Sequence, residues 1–141
     1  MNSIIKIFIC CLAVLVISDC SAGNKITSDS SSINNKWVAD SINGIKTDSV
    51  VYRDNFPVLE FNSEKGTVLG STGCNNLYGS LNISGLTLKI YDITTTKMFC
   101  SEIDEITFLS ILKNADNYEI RDGKLYLYSG KELKMVLRKE K

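Results

Sequence analysis

The sequence predicts an α+β domain: a mostly antiparallel β-sheet curled into a partial barrel, with one α-helix near Glu102–Ala115. Three observations lead there. Short stretches of apolar/polar alternation recur from Trp37 to the C-terminus, separated by turns rich in Gly, Asn and Asp. One stretch, SEIDEITFLSILKNAD, changes to a period near 3.6. Everything before Trp37 shows neither pattern, so one folded domain follows a leader and a polar connector.

The leader comes first. MNSIIKIFICCLAVLVISDC carries Lys6 near its start and an apolar run from Ile7 to Ile17. That run is shorter than the roughly 20 residues a membrane-spanning helix needs. A charged start, a short apolar run and small residues read as a secretory signal over residues 1–19, of the lipoprotein type. Ile17-Ser18-Asp19-Cys20 resembles a bacterial lipobox, with Asp19 where Gly, Ala or Ser is usual. The resemblance implies lipidation at Cys20 and anchorage to the membrane. Ser21 in place of Asp implies outer-membrane sorting, on the periplasmic face of the cell envelope. The alternative is ordinary cleavage after Ala22. Residues 20–35, rich in Ser and Asn, have little apolar surface to bury and read as a flexible tether. The domain is then 36–141.

Inside the domain, Leu59 and Phe61 alternate with Val58, Glu60 and Asn62 as a half-buried strand. Ser63-Glu64-Lys65-Gly66 turns the chain into Thr67–Ser71. Leu81 and Ile83 lead to a two-residue hairpin expected at Ser84-Gly85, after which Leu86, Leu88 and Ile90 share a face. Asp122-Gly123 and Ser129-Gly130 punctuate two further strands, with Leu125 and Leu127 on the first and Leu133, Met135 and Leu137 on the second. Strands at this spacing suit an antiparallel sheet that curls on itself.

The helix is expected to bury Ile103, Ile106, Leu109 and Leu112, with Phe108 and Ile111 widening the stripe. Ser101 suits the N-cap, with Asp104 three residues on in a capping-box position. Glu102, Asp104 and Glu105 complement the positive end of the helix dipole, and Lys113 its negative end. The dipole accounts for this acidic cluster without a metal.

Composition excludes several functions. Lysine and arginine total 16, aspartate and glutamate 16, and no basic stripe marks a nucleic-acid surface. There is no histidine, which removes the commonest general base and zinc ligand. No cofactor or metal is expected. Of five cysteines, Cys10 and Cys11 leave with the leader and Cys20 takes the lipid, leaving Cys74 and Cys100 in the domain. Two thiolates without an imidazole do not close a zinc site. A nucleophilic Cys74 would need a neighbour that lowers its pKa, and Thr72 and Asn76 stand where a nucleophile elbow requires Gly. A secreted domain favours a Cys74–Cys100 disulfide, worth about 3 kcal/mol by chain entropy. Two buried free thiols are the alternative.

Two segments carry a family resemblance. Gly73-Cys74-Asn75, with Gly79 beyond, resembles the GCN signature of the META, or HslJ-like, domain. Thr95-Thr96-Lys97-Met98-Phe99-Cys100 resembles its second signature, a Thr-Thr-Lys/Arg-Met-x-Cys run ahead of a helix. Trp37 with Ile42-Asn43-Gly44 resembles its first strand and turn, although Val38-Ala39 matches loosely. The resemblance spans Trp37 to Leu137. It implies a compact α+β domain of antiparallel strands and one helix, found in bacterial envelope lipoproteins and heat-inducible proteins, with no settled enzymatic activity.

The residues themselves read the signature loop as structural. Gly70, Gly73 and Gly79 permit backbone angles other residues avoid, and Asn75 and Asn76 suit turns. Tyr52, Tyr78, Tyr126 and Tyr128 read as outward sheet tyrosines. Glu60, Asp92 and Glu119 occupy ordinary strand-surface positions, so no carboxylate pair suggests hydrolysis. The expectation is a non-enzymatic envelope lipoprotein, anchored through Cys20. It would serve stress tolerance or envelope integrity by binding another envelope protein. The alternatives are a carrier of a small apolar ligand or an inhibitor or assembly module for a secreted protein, and behind these an enzyme working through Asp, Glu or Lys.

Overall fold

A computed structural model describes residues 30–47, 49–53 and 55–141. The leader (1–19) and Cys20 lie outside the described residues. A short 3-10 helix, Ser30–Ile33, leads into β1 (Lys36–Ile42), β2 (Ile45–Lys46) and the single-turn α1 (Ser49–Tyr52). Then come β3 (Val58–Asn62), β4 (Thr67–Ser71), β5 (Asn76–Ser84) and β6 (Thr87–Thr95). After α2 (Glu105–Asn114) the chain ends in β7 (Asn117–Arg121), β8 (Lys124–Ser129) and β9 (Glu132–Lys139).

The strands form one sheet in the order β2-β1-β3-β4-β5-β6-β7-β8-β9, and β1 pairs with β9 as well. The α+β reading therefore holds, with the curl carried further into a ring. Every pairing is antiparallel, and the β1–β9 closure runs from Trp37↔Lys139 to Ile42↔Met135. The ring is thin at one place: β6 meets β7 through the single pair Thr87↔Asn117. Helix α2 packs against β6 beside this seam.

The alternating strands turn their apolar sides inward, where burial contributes about 25 cal/mol per Å². Leu59 and Phe61, Leu88 and Ile90, Leu125 and Leu127, and Met135 and Leu137 are all buried in one core with Trp37 and Tyr118. Leu133, expected to join that face, is 40% exposed. A register shift between Leu127 and Tyr128 breaks the alternation there, so Tyr128 opposes Leu133 and Leu127 opposes Met135. Asn43-Gly44 and Asp122-Gly123 make hairpin turns with both central residues at positive φ, the type I′ geometry that matches strand twist. The turn expected at Ser84-Gly85 falls one residue later. Ser84 pairs with Thr87, so Gly85-Leu86 makes the turn and Leu86 leaves the strand face. Likewise Ser129 pairs with Glu132, which puts Gly130-Lys131 at the bend.

Three further expectations are corrected. Residues 30–35, assigned by composition to the tether, belong to the domain. Ile33 is fully buried, its carbonyl accepts the Trp37 indole N–H at 2.9 Å, and the Asn34 side chain accepts the Ser63 N–H at 2.7 Å. One apolar residue with a partner across the fold outweighs its polar neighbours.

The helix starts later than Ser101. Asp104 is the N-cap, its carboxylate accepting the Thr107 N–H at 3.0 Å, and Ser101-Glu102 form a turn. The buried stripe moves accordingly to Phe108, Ile111 and Leu112, with Ala115 at the C-cap, while Ile106 is 84% exposed. At about 100° per residue, Glu105 falls on the same face as Phe108 and Leu112, and Ile106 on the opposite one.

Of Gly70, Gly73 and Gly79, all expected to use angles other residues avoid, only Gly73 has positive φ, at 91°. Gly70 is needed for room: a Cβ there would sit 1.9 Å from the Val58 carbonyl oxygen on the neighbouring strand.

Candidate functional site

The GCN loop and the helix entrance meet at one end of the ring. Thr72 and Asn75 organise the loop. The Thr72 hydroxyl oxygen accepts the Asn75 N–H at 2.9 Å and the Cys74 N–H at 3.3 Å, and the Thr72 N–H donates to the Asn75 carbonyl at 2.9 Å. The same hydroxyl donates to Glu105 Oε1 at 2.9 Å. Thr72 and Asn75 are buried, at 0% and 1% exposure, in an otherwise apolar interior. Buried polar groups of this kind persist only when paired.

Asn75 meets that requirement in full. Its Oδ1 accepts from Thr96 Oγ1 at 2.8 Å and from the Met98 N–H at 2.7 Å. Its Nδ2 donates to the Met98 carbonyl at 3.1 Å and to Glu105 Oε2 at 3.0 Å. One amide thus holds both backbone groups of Met98 and, with Thr72, both oxygens of the Glu105 carboxylate. The two sequence signatures form one joint, and Glu105 is its third member. Sequence reasoning assigned Glu105 to the helix dipole and missed this role. The available signal was a carboxylate on the apolar face once the helix is phased from Asp104.

Cys74 and Cys100 are bonded, with Cα atoms 6.1 Å apart. With both sulfurs in the bond, neither is a free thiolate for nucleophilic chemistry. Gly73 faces away from this joint toward α1. A Cβ at Gly73 would lie 2.8 Å from the Asn55 carbonyl oxygen and from Cδ1 of Tyr52. The signature glycine therefore lets the α1 segment rest on the loop. Arg53, just past α1, stands 3.6 Å from the Glu102 carboxylate, an exposed pair of small energetic weight. The Asp104 carboxyl lies below the usual carboxylate range because its hydrogen bonds with Thr107 favour the charged form.

Around the joint, large apolar side chains stand exposed among polar ones such as Arg53, Asn55, Ser101 and Glu102. Phe99 is 92% exposed, Met98 61% and Ile45 75%. A cavity of about 330 Å³ is lined by Val51, Tyr52, Gly73, Phe99 and Cys100, among others. A neighbouring one of about 310 Å³ shares Val51, Tyr52 and Glu102 and extends to Ile42, Ile45 and Thr47. The two meet across α1 as one groove. The inward strand positions are filled by core side chains, so this groove lies outside the ring.

The remaining candidates stand apart. Tyr52 lies against Gly73 and pairs with Phe56, with ring centroids 6.0 Å apart. On β7 and β8, Arg121 lies 3.9 Å over the Tyr126 ring and pairs with Glu119, and the Tyr128 hydroxyl donates to Glu119 at 3.1 Å. Burial raises the Tyr128 pKa, and the Glu119 carboxylate adds to that shift. Tyr78 is 48% exposed on β5. Tyr126 and Tyr128 thus share one setting through Arg121, while Tyr52 and Tyr78 each stand elsewhere. Among the described residues no cluster of metal-ligating side chains occurs, and no helix is long and apolar enough to cross a membrane.

A closed antiparallel sheet with one helix clipped to a Gly-Cys-Asn loop by an asparagine and a disulfide defines an architecture shared with known proteins. The chain belongs to the META domain family, whose model matches residues 30–141. A comparison with curated proteins finds no match. Among solved structures, an NMR structure 25% identical covers 74% of this chain and 88% of its own, with a TM-score of 0.59. An NMR structure of a Burkholderia xenovorans protein, 15% identical, covers 87% and 94% with a TM-score of 0.66. A crystal structure of a DUF4847 family protein from Bacteroides vulgatus, 18% identical, covers 77% and 96% with a TM-score of 0.56. The last two likenesses are of fold.

Proposed function

We propose that this META-domain protein is a non-enzymatic envelope lipoprotein. It is anchored through Cys20 to the periplasmic face of the outer membrane and contributes to stress tolerance or envelope integrity by binding another envelope protein. The observation that carries the binding reading is the apolar rim at the disulfide end. Phe99, at 92% exposure, and Ile45, at 75%, stand beside the groove, where water contact is unfavourable unless a partner covers it. The lipobox-like Ile17–Cys20 tetrapeptide supports the anchor.

A small apolar molecule is the second occupant. The side of the groove lined by Ile42, Ile45 and Val51 favours it, whereas the core-filled ring interior does not.

Native mass spectrometry of the mature protein extracted gently from membranes, with Cys20→Ser taken from the soluble fraction, tests the proposal. The expected result is a protein mass bound to the wild type and to Cys20→Ser, and lost from Phe99→Ala/Ile45→Ala. A wild type with no lipid and its N-terminus at Gly23 would overturn the anchor. Absence of any bound partner, or equal retention by the double variant, would overturn the rim. A bound small molecule in place of a protein selects the second occupant.

A further inference from the structure

We infer that the Cys74–Cys100 bond is an exchange site for an external dithiol, with Cys100 the sulfur attacked and Cys74 the leaving group. Its opening frees only Phe99–Asp104. This inference does not rest on the rim having a partner.

The asymmetry between the two sulfurs carries the direction. Both cysteines are half-buried, but Cys100 lines the cavity of about 330 Å³ beside α1, with Val51, Tyr52 and Phe99 in its walls, whereas Cys74 lines neither this cavity nor its neighbour. The Cys74 Sγ lies 3.6 Å from Asn75 Nδ2 and 3.6 Å from the Met98 carbonyl oxygen. A thiol at Cys74 donates to the Met98 carbonyl, and a thiolate there shares, as a bifurcated bond, the Asn75 N–H that also reaches that carbonyl. Either protonation state of the leaving group has a partner already in position. A stabilised leaving thiolate departs faster, and the sulfur on the cavity side is the one attacked.

The exchange balances as follows. A thiolate of the dithiol bonds to Cys100 Sγ while the Cys74–Cys100 bond breaks, giving a mixed disulfide at Cys100 and a thiolate at Cys74. The second thiol of the dithiol, deprotonated, attacks its own sulfur in that mixed disulfide. It leaves as an oxidised disulfide and releases Cys100 as a thiolate. The protein gains two electrons, and the dithiol loses them.

The joint sets the reach of the change. On one side, Met98 stays held by Asn75 through both its N–H and its carbonyl. On the other, Glu105 stays held by Thr72 and Asn75. None of these bonds uses a sulfur. Between them, Phe99–Asp104 loses its one covalent tie to the sheet. That segment carries Phe99 and forms a wall of the cavity, so reduction reshapes the groove while the helix and sheet remain.

Two measurements on the oxidised full-length chain test this. In the first, native protein is treated with excess glutathione, free thiols are blocked with iodoacetamide, and the chain is cleaved after lysine. Residues 66–89 then carry Cys74, and 98–113 carry Cys100. Glutathione is expected on Cys100 and the alkyl group on Cys74, in an excess of roughly tenfold over the reverse. An equal or reversed distribution, or an adduct formed only in denaturant, overturns the assignment. In the second, amide hydrogen exchange is compared before and after dithiothreitol. Exchange at residues 99–104 is expected to quicken roughly tenfold or more, with Met98 and residues 108–114 unchanged. Faster exchange throughout the helix, or none at 99–104, overturns the confinement.

Discussion

Replacing Asn75 with alanine is the sharpest test of the joint. The substitution removes two acceptor bonds, from Thr96 Oγ1 and the Met98 N–H, and two donor bonds, to the Met98 carbonyl and Glu105. Thr96 and Glu105 stand near enough to solvent to recover water. Met98 is itself exposed, so its backbone groups can also turn to water, and the cost is that of the lost bonds, about 0.5–1.5 kcal/mol each net, with the small cavity in addition. The loss is therefore expected at about 2–4 kcal/mol, which lowers the melting temperature by roughly 10–20 °C for a domain of this size.

Urea unfolding followed by fluorescence of Trp37, the one tryptophan and fully buried, gives the free energy directly. Asn75→Asp refines the test, because it keeps the shape and Oδ1 but turns the donor into a carboxylate oxygen beside Glu105 Oε2. Burial and repulsion raise the folded-state pKa of the new carboxyl above its unfolded value. The variant is then closest to wild type below the unfolded pKa of about 3.9, and loses stability as pH rises through the raised folded value. A cost for Asn75→Ala under about 1 kcal/mol, or no pH dependence of the Asn75→Asp deficit relative to wild type, would refute the joint as a source of stability.

Three further predictions follow from the same geometry. The Cys74–Cys100 bond closes a loop with a sequence separation of 26, so Cys74→Ser/Cys100→Ser should lose about 3.5 kcal/mol in the chain-entropy relation. Circular dichroism should stay native in that variant, and an unshifted urea midpoint would count against it. Gly70→Ala meets the Val58 backbone at 1.9 Å and should destabilise more than Gly73→Ala, whose contacts at 2.8 Å include a tyrosine ring that can shift. Melting curves of the two variants decide the order, and a reversed order would show that the positive φ of Gly73 outweighs the clash at Gly70. Asp104→Ala removes the N-cap and should cost about 1 kcal/mol at neutral pH. Because the Asp104 pKa is lowered in the fold, that contribution is present above the unfolded carboxyl pKa and fades as pH falls through the folded value. Equal stability of wild type and variant at pH 7 would exclude Asp104 as the cap.

What the sequence by itself determined rests on local rules. Leu59 and Phe61, or Leu125 and Leu127, face the core because a strand alternates sides at every residue, whatever lies across from it. Asn43-Gly44 and Asp122-Gly123 bend back because few other pairs tolerate two positive φ angles in succession. The cysteine pair was legible by counting, and the family by its two signatures. The tertiary structure decided whatever depends on a partner far along the chain. Ile33 joins the core only because the ring offers it a place beside Trp37. The β1–β9 closure joins residues about a hundred positions apart, which no window of periodicity covers. The helix begins at Asp104 because the turn after Cys100 is tied to the sheet and Glu105 is drawn inward by Thr72 and Asn75. That phase buries Phe108 and Leu112 and turns Ile106 to solvent. A heptad-like stripe permits more than one such phase. Which one is adopted follows from where a half-buried carboxylate finds its hydrogen-bond donors, and here those donors lie some thirty residues earlier.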